Sequence, residues 1–514
     1  MRCRNSFKAP WLVLVLIAAA ARPAFAQTTA PGPAPTPFFT LSGDIRSFYF
    51  GRTNGDSCLT CKPNGSPNAT GFNFGGFLRG QITIPRTPWS LGASYMGAYA
   101  FGANAPGPLN NIGYNPQIDN TLPGYSISVF GEAYVQYKNA GTFGQIGKEM
   151  LSSAQSPWAN SADTRILPAA FQGAQIAMSL NSDLSLEVMD MARWKSRVTS
   201  AFNSNSLLTS CNTAYPTGKG PVAGIKGRFT VPGDFCAAQR TTHGFALGSV
   251  AYVFGSSGLT VSAYQYRVYD LLDMTWLSGQ YNFAKRSFAN PYVAAQYLAE
   301  NNDGRSFLGT VHNHTTGALI GTNVARNLSL AAGYDSAPAT RYVVPATDCK
   351  GSLATPATPA PRAIFGGLPD TADRSVSNGF VACYGGGIAS PYTDGYTSDP
   401  LYTTSLTQGM SEVTKPGTAV KATLTWVSND RRLRVLASDA WYDYSLPGSI
   451  NNIGNGDARS EVDFDLWFFF NRVQPGQPYE GLSLRQRYGD RTFSFAPFEF
   501  KSSRTQLAYS WLMP

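Results

Sequence analysis

Residues 461–470 read Glu461, Val462, Asp463, Phe464, Asp465, Leu466, Trp467, Phe468, Phe469 and Phe470. Acids alternate with large apolar groups, and a strand sends successive side chains to opposite faces. The segment therefore reads as a strand with one acidic face and one apolar face. The next run repeats the device with the opposite sign. Ser483, Arg485 and Arg487 share one face, and Leu482, Leu484 and Tyr488 share the other. Two architectures use such strands. A soluble sandwich buries the apolar face in its core. A transmembrane barrel turns that face to lipid and the charges to a water-filled lumen.

The ends of the chain bear on the choice. Arg2, Arg4 and Lys8 precede a short apolar run from Trp11 to Ala21, and Ala24-Phe25-Ala26 has the form of a cleavage site. That is an export signal over 1–26, too short to span a membrane as a helix. Gln27 to Thr36 is rich in proline and reads as a flexible lead-in over 27–37, before a barrel domain over 38–514. Removing the signal takes the formal charge from +9 to +5. An exported chain with so mild a charge is not expected to bind nucleic acid. Charged residues make up only 14% of the chain, yet mean hydropathy is −0.16. Alternating apolar and polar positions cancel in that way, whereas a helical membrane protein has long apolar segments.

Period-2 segments follow one another almost to the C-terminus, about eighteen in all. The connections between them alternate in length. Pro85-Arg86-Thr87-Pro88, Asn139-Ala140-Gly141, Asn181-Ser182 and Gly255-Ser256-Ser257 are tight, whereas 51–70, 103–125, 150–172, 195–242 and 337–417 are long. Short periplasmic turns on one rim and long extracellular loops on the other are the barrel pattern. A sandwich offers no reason for it. The short link at Asp270-Leu271 breaks the rule. The fold class expected is all-β: a transmembrane antiparallel β-barrel of about 18 strands.

Charge on a lipid-facing strand position near the midplane costs roughly 2–4 kcal/mol, so the charged member of each alternation points inward. This assigns Arg79, Glu132, Lys421, Arg432, Arg434, Glu461, Asp463, Asp465, Arg485 and Arg487 to the pore wall. The hairpin across 472–479 brings Arg485 and Arg487 near Asp465 and Asp463. Two readings stand: lumen ion pairs that satisfy one another, or a basic stripe that orients dipolar or anionic solutes.

Six cysteines remain after the signal, all in long loops of one rim. In an oxidising compartment they are expected as disulfides, and sequential pairing gives Cys58–Cys61, Cys211–Cys236 and Cys349–Cys383. His312 and His314 share a strand face, and with only three histidines in the chain a polar lumen lining is expected of them rather than a metal site. There is no Walker loop, H-E-x-x-H or G-x-S-x-G, so neither an enzyme, a metal nor a cofactor is expected.

The stretch from Gly147 through Ser161-Ala162-Asp163-Thr164-Arg165-Ile166-Leu167-Pro168 to Phe171-Gln172-Gly173 resembles the third loop of the OprD family of bacterial outer-membrane porins. Asp399-Pro400-Leu401-Tyr402-Thr403 is similar to a segment of the family's seventh loop. Glu461 to Asp465 with Gly481 to Arg485 resembles its late hairpin. The resemblance implies an eighteen-stranded barrel constricted by loops three (150–172) and seven (337–417), with Asp163 and Arg165 in the constriction loop. It also implies an arginine ladder and uptake of small carboxylates or basic amino acids. Two features depart from it. The insertions at 195–242 and 337–417 are long, and the chain ends Trp511-Leu512-Met513-Pro514 without a terminal aromatic. Trp511, at the end of the alternating stripe Thr505, Leu507, Tyr509, is expected to serve the barrel assembly machinery instead.

The expectation is therefore a bacterial outer-membrane channel for passive, partly selective diffusion of small polar solutes. The alternative is a barrel-anchored surface receptor or adhesin with disulfide-pinned loops and little conductance. The expected partners are outer-membrane lipid, lipopolysaccharide, the assembly machinery and small-molecule solutes, with the barrel a monomer or homotrimer.

Overall fold

A computed structural model describes residues 38–513, apart from 56–68, 100–121, 124–125, 163–164, 198, 205, 207, 209–241, 284–286, 350–363, 371–375, 377, 394–397, 445–457, 475–478 and 494–497. The export signal and lead-in, Asp163, and Cys58, Cys61, Cys211 and Cys236 lie outside the described residues.

Thirteen strands come first. They are β1 (Phe39–Gly55), β2 (Ala69–Thr83), β3 (Trp89–Tyr99), β4 (Ile127–Asn139), β5 (Thr142–Glu149), β6 (Ala170–Ser179), β7 (Leu184–Lys195), β8 (Phe245–Val253), β9 (Leu259–Val268), β10 (Leu272–Asn282), β11 (Tyr292–Asn302), β12 (His312–Ala325) and β13 (Leu328–Ala337). A long loop then carries a separate three-stranded sheet, β14 (Thr340–Pro345), β15 (Leu368–Asp370) and β16 (Phe380–Gly385), with two one-turn helices, α1 (Ala346–Cys349) and α2 (Met410–Val413). The wall resumes with β17 (Gly417–Val427), β18 (Leu433–Asp443), β19 (Ala458–Phe469), β20 (Gly481–Phe493) and β21 (Phe498–Met513).

Eighteen strands form one antiparallel sheet. Each pairs with its neighbour in sequence, and β1 closes the circle against β21, with Ile45 opposite Tyr509 and Phe48 opposite Gln506. Closure leaves no strand edge with open hydrogen bonds, which is the condition for a sheet to lie in lipid. Even the short Asp270-Leu271 link is a true hairpin on the long-loop rim, with Asp270 in the left-handed region (φ 63°). One glycine is demanded by the wall itself. Gly76, inside β2, has φ 139°, and a Cβ there would lie 1.8 Å from the Asp44 carbonyl oxygen of β1.

The outer face is apolar, with Ile45, Leu78, Leu91, Val188, Ile320, Leu424, Val462, Leu507 and Tyr509 exposed on it. Between them the inner face carries the charges, as period 2 predicts. On β7–β10, however, the inward side chains are apolar too: Met189, Met191, Phe245, Leu247, Tyr264, Tyr266, Met274 and Trp276. They form one buried cluster with Trp158 of the loop at 150–169 and with Tyr392 and Leu401 of the loop at 338–416. Tyr392 alone packs against the rings of Phe171, Trp194 and Phe245 at 5.1–5.9 Å. A second cluster joins Phe48, Phe50 and Met96 of the wall to Ile166 and Leu167 of the first loop. Both loops therefore run inside the barrel, where burial of these side chains holds them.

His312 and His314 do not line the lumen. Asn313 and Thr315 between them are the inward, buried residues of β12, and the two histidines face outward. The strand's phase, fixed by its register with β11, decides this.

Candidate functional site

Seven cations stand on the inward face of one arc of wall: Arg46 on β1, Lys421 on β17, Arg434 on β18, Arg485, Arg487 and Arg491 on β20, and Arg504 on β21. The strands place them by alternation, and register places Arg487 directly opposite Arg504. Arg485 grips Asp465 with both arms of its fork, at 2.9 Å (Nε to Oδ1) and 2.6 Å (Nη2 to Oδ2). Its guanidinium lies 3.9 Å from the centroid of the Trp467 ring. Arg487 is 1% exposed, with its guanidinium 5.7 Å from the Phe48 centroid. Arg434 is exposed to the lumen on the short-turn side. Arg432 lies outside β18, in the turn after β17, 3.9 Å from Asp430, and so belongs to the rim rather than to the wall.

The acids of this arc do something the sequence did not foretell. Glu461 Oε1 accepts from Thr407 N at 2.8 Å and Thr407 Oγ1 at 2.7 Å. Asp463 Oδ2 accepts from Leu406 N at 3.0 Å and Ser438 Oγ at 3.2 Å. Further round the wall, Asp335 Oδ2 accepts from Thr403 N (2.8 Å) and Thr403 Oγ1 (2.7 Å), and Glu300 Oε2 from Ala389 N (2.9 Å). Four wall carboxyl groups thus accept from the backbone of the 338–416 loop and hold it. Cations and a phenol hold it too. Lys421 Nζ donates to Thr404 O at 2.6 Å, Arg491 Nε to Thr407 Oγ1 at 2.8 Å, and Tyr442 OH to Thr403 O at 3.1 Å. Asp463 is therefore tied to the loop, and its strand partner in register is Gly489, not an arginine.

The loop at 150–169 is fixed across the lumen. At one end Arg46 Nη1 donates to Arg165 O at 2.6 Å. At the other, Tyr264 OH donates to Ala154 O at 3.1 Å and Trp158 N donates to Tyr266 OH at 3.2 Å. Asn160 Nδ2 to Ser398 O, 2.7 Å, ties the two loops together. Residues 398–404, which include Asp399 to Thr403, lie at this junction. The Asp399 carboxylate accepts from Thr404 Oγ1 at 2.7 Å, and also from Ser411 Oγ.

The next arc of wall, β2–β6, is polar and carries Glu132 and Glu149. Arg79 Nη2 meets Glu132 Oε2 at 2.6 Å. Gln81, Ser90, Gln136 and Gln145 form a side-chain ladder across four strands, with bonds of 2.9–3.1 Å. Gln175 Nε2 donates to Glu149 Oε2 on the adjoining strands. Arg46, Arg491, Arg504 and Glu149 were not singled out from the sequence, although alternation in Asp44-Ile45-Arg46 and Arg504-Thr505-Gln506 carried the signal for two of them. Glu300 and Asp335 had no such signal, because their partners are loop residues 68 or more positions away.

Cys349 and Cys383 form a disulfide (Cα–Cα 5.5 Å) that joins α1 to β16 in the small loop sheet.

A family model described as outer membrane porin, OprD family, matches residues 131–340. Over that stretch the chain is similar to the OprD porins. Among solved structures, the OprD-like barrel is similar to OccK9 (OpdG) of Pseudomonas aeruginosa, with 15% identity over 92% of this chain and 98% of that one and a TM-score of 0.61. It is similar to OccAB2 of Acinetobacter baumannii at 16% identity, covering 93% and 98%, with a TM-score of 0.60. It is also similar to OccK2 (OpdF) of P. aeruginosa, solved in complex with glucuronate, at 11% identity, covering 93% and 98%, with a TM-score of 0.59. No curated protein matches. The fold is that of outer-membrane channels.

Proposed function

We propose that this OprD-like chain is a passive channel of the bacterial outer membrane for small anionic or zwitterionic solutes, carboxylates or amino acids. In this reading the loops at 150–169 and 338–416 form the constriction. The observation that carries it is the imbalance on one arc of wall. Seven cations share that arc with four acids (Asp44, Glu461, Asp463 and Asp465), and two of those acids spend their oxygens on loop N–H groups. A positive arc, with Glu132 and Glu149 further round the wall, sets a field in the lumen that concentrates anions and aligns zwitterions. A solved neighbour, OccK2, binds glucuronate, a carboxylate.

Planar-bilayer recording tests this. The reading expects ohmic single-channel steps and, in a salt gradient, a reversal potential on the anion-selective side. Replacing Arg487 and Arg504 with glutamine is expected to move that potential toward zero. A folded barrel whose reversal potential ignores both changes refutes the role of the arc.

The same proposal takes residues 1–26 as the cleaved signal, 27–37 as linker and 38–514 as the barrel. It takes Cys58–Cys61 and Cys211–Cys236 as loop disulfides, and the barrel as a monomer or homotrimer without enzymatic activity. One observation favours the receptor or adhesin alternative. Trp158, Tyr392 and Leu401 fill lumen space against β7–β10. Ligand binding at the outer loops by a folded but silent barrel would establish that alternative.

A further inference from the structure

The outer wall has a recess of its own, separate from the lumen. On β8–β11 the outward residues Ala263, Gly279 and Ala295 sit low between Tyr252, Leu277 and Tyr297, and the trough they form encloses about 500 Å³ with an almost wholly apolar lining. Register runs it across the strands: Val261 faces Gly279, Gly279 faces Ala295, and Ala295 faces Ala318 of β12. It lies at mid-strand, within the band of side chains that faces lipid.

Directly above it, toward the long-loop rim, are the two outward histidines. Tyr297 belongs to both features. It walls the trough, and its hydroxyl lies 2.8 Å from His314 Nδ1. His312 Nδ1 lies 3.2 Å from Asn301 Oδ1, and the two imidazoles pack edge to face at 4.6 Å. In the tautomer where the tyrosine hydroxyl donates to Nδ1, the ring hydrogen of His314 stands on Nε2 and can be donated to an anion. The acids of this rim are largely engaged. Asp303 meets Arg267 at 2.9 Å and Asp270 meets Arg305 at 2.8 Å, while Asp273 stands opposite Asn301. The histidine pair thus stands on a rim where Asp303 and Asp270 already meet cations.

We infer that this face seats one molecule of the phosphorylated glycolipid of the outer leaflet, lipopolysaccharide. An acyl chain fills the trough and a headgroup phosphate meets His314. The trough is continuous with the lipid-facing band, and the long-loop rim sets the leaflet. His314 stands opposite Ala299, on the long-loop side of the trough residues Ala295 and Tyr297. Burial of methylenes in the trough and one hydrogen bond above it supply affinity and orientation.

The barrel extracted in mild detergent and weighed by native mass spectrometry tests this. Wild type is expected to carry one glycolipid. Gly279→Leu should fill the trough without disturbing the fold, because a Cβ there meets only Val261 Cγ1 at 3.7 Å and Thr260 O at 3.8 Å. It is expected to lower the bound fraction roughly tenfold. His314→Ala is expected to lower it less, and to allow phosphatidylglycerol to exchange for the glycolipid. Undiminished glycolipid on the folded Gly279→Leu barrel overturns the proposal. So does displacement from wild type by an equal concentration of phosphatidylglycerol. Conductance is expected to stay unchanged in both variants, because neither side chain reaches the lumen. A loss of the channel reading therefore leaves the lipid result intact, and the reverse also holds.

Discussion

At the scale of the residue, the lumen is a set of buried charges that each need a named partner. Arg485 and Asp465 are 8% and 4% exposed and paired in both arms. Removing only the arginine strands a buried carboxylate, a loss of about 3–5 kcal/mol. Arg485→Ala is expected to lower the urea midpoint of the refolded barrel accordingly, and Arg485→Lys to recover only part, since an ammonium cannot copy the fork. Asp335→Ala should leave the Thr403 N–H and the Gln296 amide without their acceptor, at about 1–3 kcal/mol each. Its expected signature is a noisier open-channel current, as the 338–416 loop loses one fastening. That Arg79, Glu132, Lys421, Arg434, Asp465 and Arg487 share the polar face of their strands was legible, because alternation fixes a face. That Asp463 and Glu461 bind loop backbone was not legible, because a carboxylate looks alike in sequence whether it meets an arginine or an N–H.

At the scale of the element, strands and tight turns were legible, and the interior of the long loops was not. The 337–417 insertion read as a loop, yet β14–β16 and the disulfide give part of it a sheet. Short, low-contrast strands such as Leu368–Asp370 carry too few positions to show a period. The short hairpin between β9 and β10 gives a pH test outside the membrane. Hydrogen bonds from the Arg305 side chain and backbone hold the Asp270 carboxyl below the ordinary aspartate range, the side-chain bond most of all. A depressed folded value means that the contribution is complete above the unfolded value. It is lost as pH falls through the folded one. Amide protection factors over 303–309 are expected to fall in acid below the usual aspartate range. In Arg305→Ala that fall should begin at higher pH. In β2, Gly76→Ala is expected to destabilise the barrel, since its Cβ would meet the Asp44 carbonyl of the neighbouring strand. A lower temperature of the shift from compact to extended gel mobility would register it.

At the scale of the whole molecule, closure makes one cooperative object of eighteen strands, so assembly should be all-or-none. Deleting β21 is expected to abolish membrane insertion rather than leave a seventeen-stranded channel, because it would open the β1 edge to lipid. Trypsin protection in liposomes checks this. The sequence by itself determined the barrel. Period 2 set the two faces, and the alternation of turn and loop lengths set the two rims. Both are local properties that each hairpin repeats. Tertiary structure alone decided what the lumen contains. The inward residues of β7–β10 are as apolar as the outward ones because Trp158 and Tyr392 arrive from loops far along the chain to cover them. The same distant contacts turned the acids beside Phe464 into anchors for a loop. They also leave seven cations beside four acids on that arc of wall. Such pairings depend on where a long loop folds, and no local period records that.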